Sequence, residues 1–156
     1  MTGLTGVVES IHIAPRSEEL PHAVARVRVL AGRGPEGDRY FRGEGTYSNE
    51  PGDGRDLTLI EAEAIEGLAA DTGIELDPAE PRRNVVTRGI GLNDLVGKQF
   101  RVGAVECVGV ELCEPCNHLE GLTQPGVLKG LVHRGGLRAD VLVDGEIAVG
   151  DAVEPL

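Results

Sequence analysis

At 156 residues the chain is long enough to bury one core without staples, so a single domain spanning 1–156 is expected. A formal net charge of −11 and 3% aromatic residues exclude the basic, base-stacking surface of a nucleic-acid binder and leave Val, Leu, Ile and Ala to build the interior. An odd count of three cysteines, the absence of a secretory leader, and no apolar run near the ~20 residues of a membrane span point to a reducing cytoplasm and no membrane.

In chain order, residues 3–14 alternate and then run apolar (Leu4, Val7, Val8, Ile11, Ile13) until Pro15, which predicts a first strand with His12 as a hydrogen-bonded sheet residue. Residues 22–31 predict a second strand, Val24, Val27 and Val29 facing in and Arg26 and Arg28 facing water. No period survives between Gly32 and Gly54. The segment Gly34-Pro35-Glu36-Gly37-Asp38-Arg39-Tyr40 carries turn residues around a charged pair, as an ordered substrate or cofactor loop would. Residues 56–60 give a short strand. Ala62, Ile65, Leu68 and Ala69 then sit at helical spacing over 61–71, with Gly73 as terminator and Glu61, Glu63 and Glu66 on a solvated face.

From Pro81 the charge balance reverses. Arg82, Arg83, Arg88, Lys98 and Arg101 meet a single acid, Asp94, and the turn Gly89-Ile90-Gly91 can offer backbone N–H groups to an anion, with Asn84 as a further polar contact. The competing reading is a set of surface arginines balancing acidic neighbours. Residues 99–102 and 104–112 predict two strands joined at Gly103, with Cys107 buried in the second. Residues 119–131 allow only short helical turns, and His133-Arg134-Gly135-Gly136 forms a second cationic loop. Residues 138–143 and 146–149 read as a hairpin on Asp144-Gly145, before a last strand at 151–154.

Reactive side chains gather at Leu112-Cys113-Glu114-Pro115-Cys116-Asn117-His118, where a strand pattern stops at two thiols. A thiolate is both a nucleophile and a soft metal ligand, and Pro115 fixes the turn between the two. Closed zinc sites need a second ligand pair at similar spacing, yet Cys107, His12, His22 and His133 are scattered singly. Covalent haem attachment needs His directly after the second Cys, where Asn117 stands. A thioredoxin-like pair would open a helix among alternating strands and helices. Two small buried thiols at a strand end remain the bland reading.

Taken together, the chain resembles the MOSC domain, found at the C-terminal end of molybdenum-cofactor sulfurases and as small stand-alone bacterial proteins. The resemblance runs through Gly37-Asp38-Arg39, Leu57 to Ile60, Arg82-Arg83-Asn84 with Gly89 and Leu92, Val96-Gly97 to Gly103, Pro115-Cys116, Gly136, Gly145, Ile147 and Gly150-Asp151. It implies a mainly β fold with a few helices, a closed and strongly bent β-barrel. The family's key cysteine follows proline and so falls on Cys116, as a thiolate ligand of molybdenum in a pterin-bound cofactor or as an acceptor of sulfane sulfur. Cys113 adds a second thiol, its role open between resolving cysteine, second ligand and none. The resemblance implies that Arg82 and Asn84 contact phosphate and pterin and that Gly37, Asp38 and Arg39 line the same cleft; the turn at Gly89 and the cationic loop at Arg134, read from the residues, are further candidate anion contacts. Tyr40 stands where histidine is more often expected. Pyridoxal phosphate is discounted, since Lys98 and Lys129 carry no Schiff-base motif around them. Two functions follow: a molybdopterin-bound reductase of N-hydroxylated or related small molecules, or a carrier that passes cofactor or sulfur to a partner enzyme. Partners are accordingly a small-molecule substrate or a redox or sulfur-transfer protein, with homodimerisation left open.

Overall fold

The computed structural model describes residues 5–15, 20–38 and 56–156. The described strands are β1 (Gly6–Ile13), β2 (His22–Val24), β3 (Arg26–Leu30), β4 (Gly34–Pro35), β5 (Leu57–Glu61), β6 (Val85–Arg88), β7 (Gln99–Val102), β8 (Val105–Leu112), β9 (Leu137–Val143), β10 (Gly145–Ala148) and β11 (Ala152–Pro155). Helices α1 (Ala62–Thr72), α2 (Asn117–Leu122) and α3 (Val127–Gly130), with a 3-10 turn at Leu92–Leu95, complete the described elements. The large sheet runs β11-β7-β8-β9-β5-β6-β1-β2, and β11 also pairs with β1, so the seven strands from β11 to β1 close into a barrel with β2 as an appendage. That is the closed, mainly β architecture expected from the sequence.

One pair in the barrel, β5 with β6, is parallel, at Leu59 opposite Val85. A parallel pair needs a crossover, and α1 supplies it. Its apolar stripe, Ile65 and Leu68, lies against the outside of the barrel with Ile60, Val86, Leu119, Val127 and Leu131. Leu57, Leu59 and Val85 point instead into the barrel interior, packed with Ile11, Phe100, Cys107, Leu137 and Val153. Alternation along β5 and β6 therefore feeds two cores from one pair of strands. Each fully buried leucine in them is worth roughly 2 kcal/mol. The helix ends as its sequence predicts: Gly73 takes a left-handed conformation and its N–H donates to the Ala69 carbonyl at 2.8 Å.

Three expectations need correction. The second strand is two strands, broken at Ala25: β2 pairs with β1, whereas β3 belongs to a separate sheet ordered β10-β3-β4. The hairpin at Asp144-Gly145 does not form either. β9 pairs with β5 and β8, β10 turns away to β3, and Asp144 Oδ1 accepts from the Ala31 N–H at 2.6 Å, so the turn joins two sheets instead of two partners. Finally, residues 85–88, read only as part of a charged patch, form the central strand β6.

Candidate functional site

The thiol loop leaves β8 after Leu112, which pairs with Leu137. The Cys113 N–H donates to the Gly136 carbonyl at 2.8 Å. Gly135 packs so closely that a Cβ there would lie 2.5 Å from the Cys113 oxygen and 2.9 Å from Pro115 Cδ, which is why glycine is needed at the crossing. On one side the half-buried Arg83 grips the crossing: Nη2 donates to the Cys113 carbonyl at 3.0 Å, Nε to that of Gly135 at 2.9 Å, and Nη1 to that of Pro81 at 3.1 Å. On the other, the Glu114 carboxylate accepts the His133 N–H at 2.7 Å and meets its Nδ1 at 2.8 Å, while Asn93 Nδ2 donates to the His133 carbonyl at 2.9 Å.

The three thiols have different surroundings. Cys107 is fully buried in the barrel, its thiol pushed up to about 12 by burial and then by the charges of Asp56 and Glu106. Cys113 is 2% exposed. Cys116 is the partly exposed one, at the start of α2 and packed along one side against the outer core. No disulfide joins any of them.

The residues expected to bind an anion do not converge. Arg82, at φ 65°, lines an open cleft of about 450 Å³ with Leu20, Asp77, Glu80 and Leu122, so two carboxylates share its surroundings. Asn84 is buried: Oδ1 accepts from Thr58 N at 3.1 Å, Nδ2 donates to the His12 carbonyl at 3.3 Å, and the side chain ties β5 to β1. Gly89 lies at the other end of β6, five residues and roughly 16 Å of extended chain from Asn84. Its N–H already donates to Glu63 Oε2 at 2.9 Å, and the Leu92 N–H to Glu61 Oε2 at 3.3 Å. Carboxylates thus cap the turn expected to hold phosphate, and the acidic face of α1 is engaged rather than merely solvated. Arg88 pairs with Glu9 at 2.6 Å and Glu66 at 2.7 Å, and Arg101 stands on β7 opposite Glu106 and Glu154. Arg134 donates to the Gly130 carbonyl at 2.7 Å and to Asp71 at 2.9 Å, fastening α3 to α1.

In the glycine loop, Gly37 sits at φ 87° and the buried Asp38 accepts the Ala14 N–H at 3.0 Å, anchoring the loop to the end of β1. Arg39 and Tyr40 lie outside the described residues. His12, as expected, is a buried sheet residue, with Nε2 2.8 Å from Ser10 Oγ and no partner at Nδ1. Burial pushes its imidazole below the ordinary range, and the charge of Asp77 partly restores it. Sequence reasoning counted Arg83 among the cations of this stretch and gave it no role toward the thiols. The tandem Arg82-Arg83 gives no sign of which guanidinium turns toward the thiols, because the left-handed backbone at Arg82 sets that.

The chain belongs to the MOSC family: the MOSC domain model matches residues 46–154, and the closed mixed barrel agrees with that assignment. Among solved structures, the chain is similar to the YuaD protein of Bacillus subtilis, at 18% identity and TM-score 0.80 over 96% of this chain and 94% of that one. YiiM from Geobacillus stearothermophilus is similar at 16% identity and TM-score 0.73, over 97% of this chain and 75% of that one. YiiM from Escherichia coli shares 17% identity at TM-score 0.66, over 100% and 70%. At such identities the likeness is one of fold. No curated protein matches the chain. Among the described residues no helix is long and apolar enough to cross a membrane.

Proposed function

We propose that the chain binds a molybdenum cofactor, with the Cys116 thiolate as the protein's ligand to the metal, and that it works as a small reductase. The observation that carries this reading is the contrast among the thiols: Cys116 alone of the three reaches solvent, on a loop fixed by Pro115 and Arg83. The donor chemistry fits. Among the described residues no three His, Cys, Asp or Glu side chains gather as a metal cage, and a single soft thiolate suits a metal that brings sulfur ligands of its own. Arg82, in the cleft it lines with Leu122 of α2, is the residue proposed to meet the cofactor's phosphate.

When bound, such a cofactor supplies two-electron reduction, of the kind that removes oxygen from N-hydroxylated bases. The chain's own share is to hold one sulfur at a fixed place, with the outer core shielding one side of it from water. Expression in a molybdenum-replete host tests the reading. Metal and pterin should copurify with the wild type and with Cys113→Ser but not with Cys116→Ser, and the loaded protein should reduce an amidoxime when supplied with a reduced viologen. Retention of molybdenum by Cys116→Ser overturns the ligand assignment. Loading without turnover moves the chain to the carrier class.

A further inference from the structure

We propose that Arg83 is a positioning residue for the thiol loop: its guanidinium holds the Cys113 backbone at the root of the loop that leads to Cys116 and keeps the Cys113 thiol out of reach. The inference rests on the reading of Cys116 as the working thiol. It stands on the convergence of two distant chain segments on one planar group that is also braced on its own segment, since Arg83 donates to the Cys113 and Gly135 carbonyls and to that of Pro81 at 2.9 to 3.1 Å. Two of those carbonyls belong to strands of chain that cross almost in contact, with Gly135 against the Cys113 oxygen. Without a shared donor the Cys113 and Gly135 oxygens lose their charged partner at a half-buried place, and nothing offsets their dipoles.

A second observation points the same way. Among the described residues two non-glycines adopt positive φ, Arg82 at 65° and His133 at 62°, one next to Arg83 and the other bonded to Glu114. Backbone strain of this kind persists where the surrounding contacts over-determine it. Arg82 immediately precedes the clamp, and His133 is held by Glu114 from within the thiol loop itself. The loop is therefore tied at two points, by a cation on the Cys113 carbonyl and by the Glu114 anion on the His133 backbone N–H. A lysine at 83 would carry the charge without the planar fork, and could not satisfy three carbonyls in these directions.

The test uses the full chain without cofactor, alkylated with iodoacetamide and mapped cysteine by cysteine by mass spectrometry. Cys107, sealed inside the barrel, reports global opening. In the wild type Cys116 should be labelled, with Cys113 and Cys107 protected. Arg83→Met should raise the rate of Cys113 labelling at least about tenfold while Cys107 stays silent, and Arg83→Lys should fall between the two. Should Arg83→Met fail to fold, Arg83→Gln, which keeps a shorter neutral donor, should expose Cys113 in the same selective way. Unchanged Cys113 labelling overturns the proposal, and so does labelling of Cys107 in step with Cys113, which marks ordinary loss of the barrel. Molybdenum content is a separate measurement: its retention by Cys116→Ser sinks the cofactor reading and leaves the brace standing.

Discussion

The arginine-rich stretch has two ends, and they meet opposite fates. At Arg82–Asn84 a guanidinium gathers backbone carbonyls and fixes the thiol loop. At Arg88–Gly91 the carboxylates of Glu9, Glu61, Glu63 and Glu66 capture one guanidinium and two backbone N–H groups, and fasten β6 and the turn after it to α1 and β1. In the sequence both ends look like places for an anion. In space one end meets backbone carbonyls and the carboxylates around Arg82, and the other is capped by four glutamates, so a run of cations carries no meaning until its facing groups are known.

The largest test of this contrast uses glycines. Gly136, at φ 116°, closes on the Leu59 carbonyl so tightly that any Cβ would collide with it, and Gly136→Ala should lower the unfolding free energy by about 3 kcal/mol or more in a urea titration. Gly89, at φ 88°, has its nearest atoms at 3.7 Å, so Gly89→Ala should lose only about 1 kcal/mol. Equal losses would mean that the thiol-loop side is no more tightly specified than the far turn.

Cofactor affinity sharpens the same contrast. Arg82→Ala should weaken binding of a molybdopterin ligand about ten- to a hundredfold in a direct titration, since a charged hydrogen bond is lost. Gly89→Ala should leave that affinity unchanged, and Asp77→Asn should tighten it by removing a carboxylate from the Arg82 cleft. Indifference to both Arg82 and Asp77 would move the phosphate site elsewhere.

A smaller effect is a pH dependence seated in His12. Its imidazole lies below the ordinary 6.5 in the fold, so the unfolded chain takes up the proton first as pH falls. Stability should be complete above that value and decline as pH drops through the folded value, and His12→Asn should flatten the decline. A wild-type curve with no slope in this window would place the titration elsewhere. Smallest of all, Arg88→Met should produce a modest destabilisation that high salt erases, because its ion pairs with Glu9 and Glu66 lie at the surface. A loss that persists in salt would show that this end of the stretch is as firmly built as the other.

Much of the outline was written locally. The period of Ile65 and Leu68, the stop at Gly73, the alternation of β3 and β8 and the proline before Cys116 each express an interaction within a few residues, so the sequence carries them. The MOSC resemblance gathered the same spaced blocks into one barrel. What the sequence could not carry is partnership. Asp144-Gly145 is a turn, as its residues demand, yet whether its two arms pair depends on β3, more than a hundred residues earlier. Val85–Arg88 is a strand because β5 and β1 enclose it, while its own four residues, two valines, a threonine and an arginine, are too few to show a period.

The site divides along the same line. That Cys107 is sealed inside was legible, because it lies in the middle of a strand. Which arginine faces the thiol loop was not. Arg82 and Arg83 are chemically identical neighbours, and only the left-handed backbone at Arg82 and the crossing of Cys113 with Gly135 turn one toward an open cleft and the other onto three carbonyls. A guanidinium has no preference among acceptors of equal quality. Its partner is decided by distance, and distance between residues 83, 113 and 135 exists only once the barrel has closed.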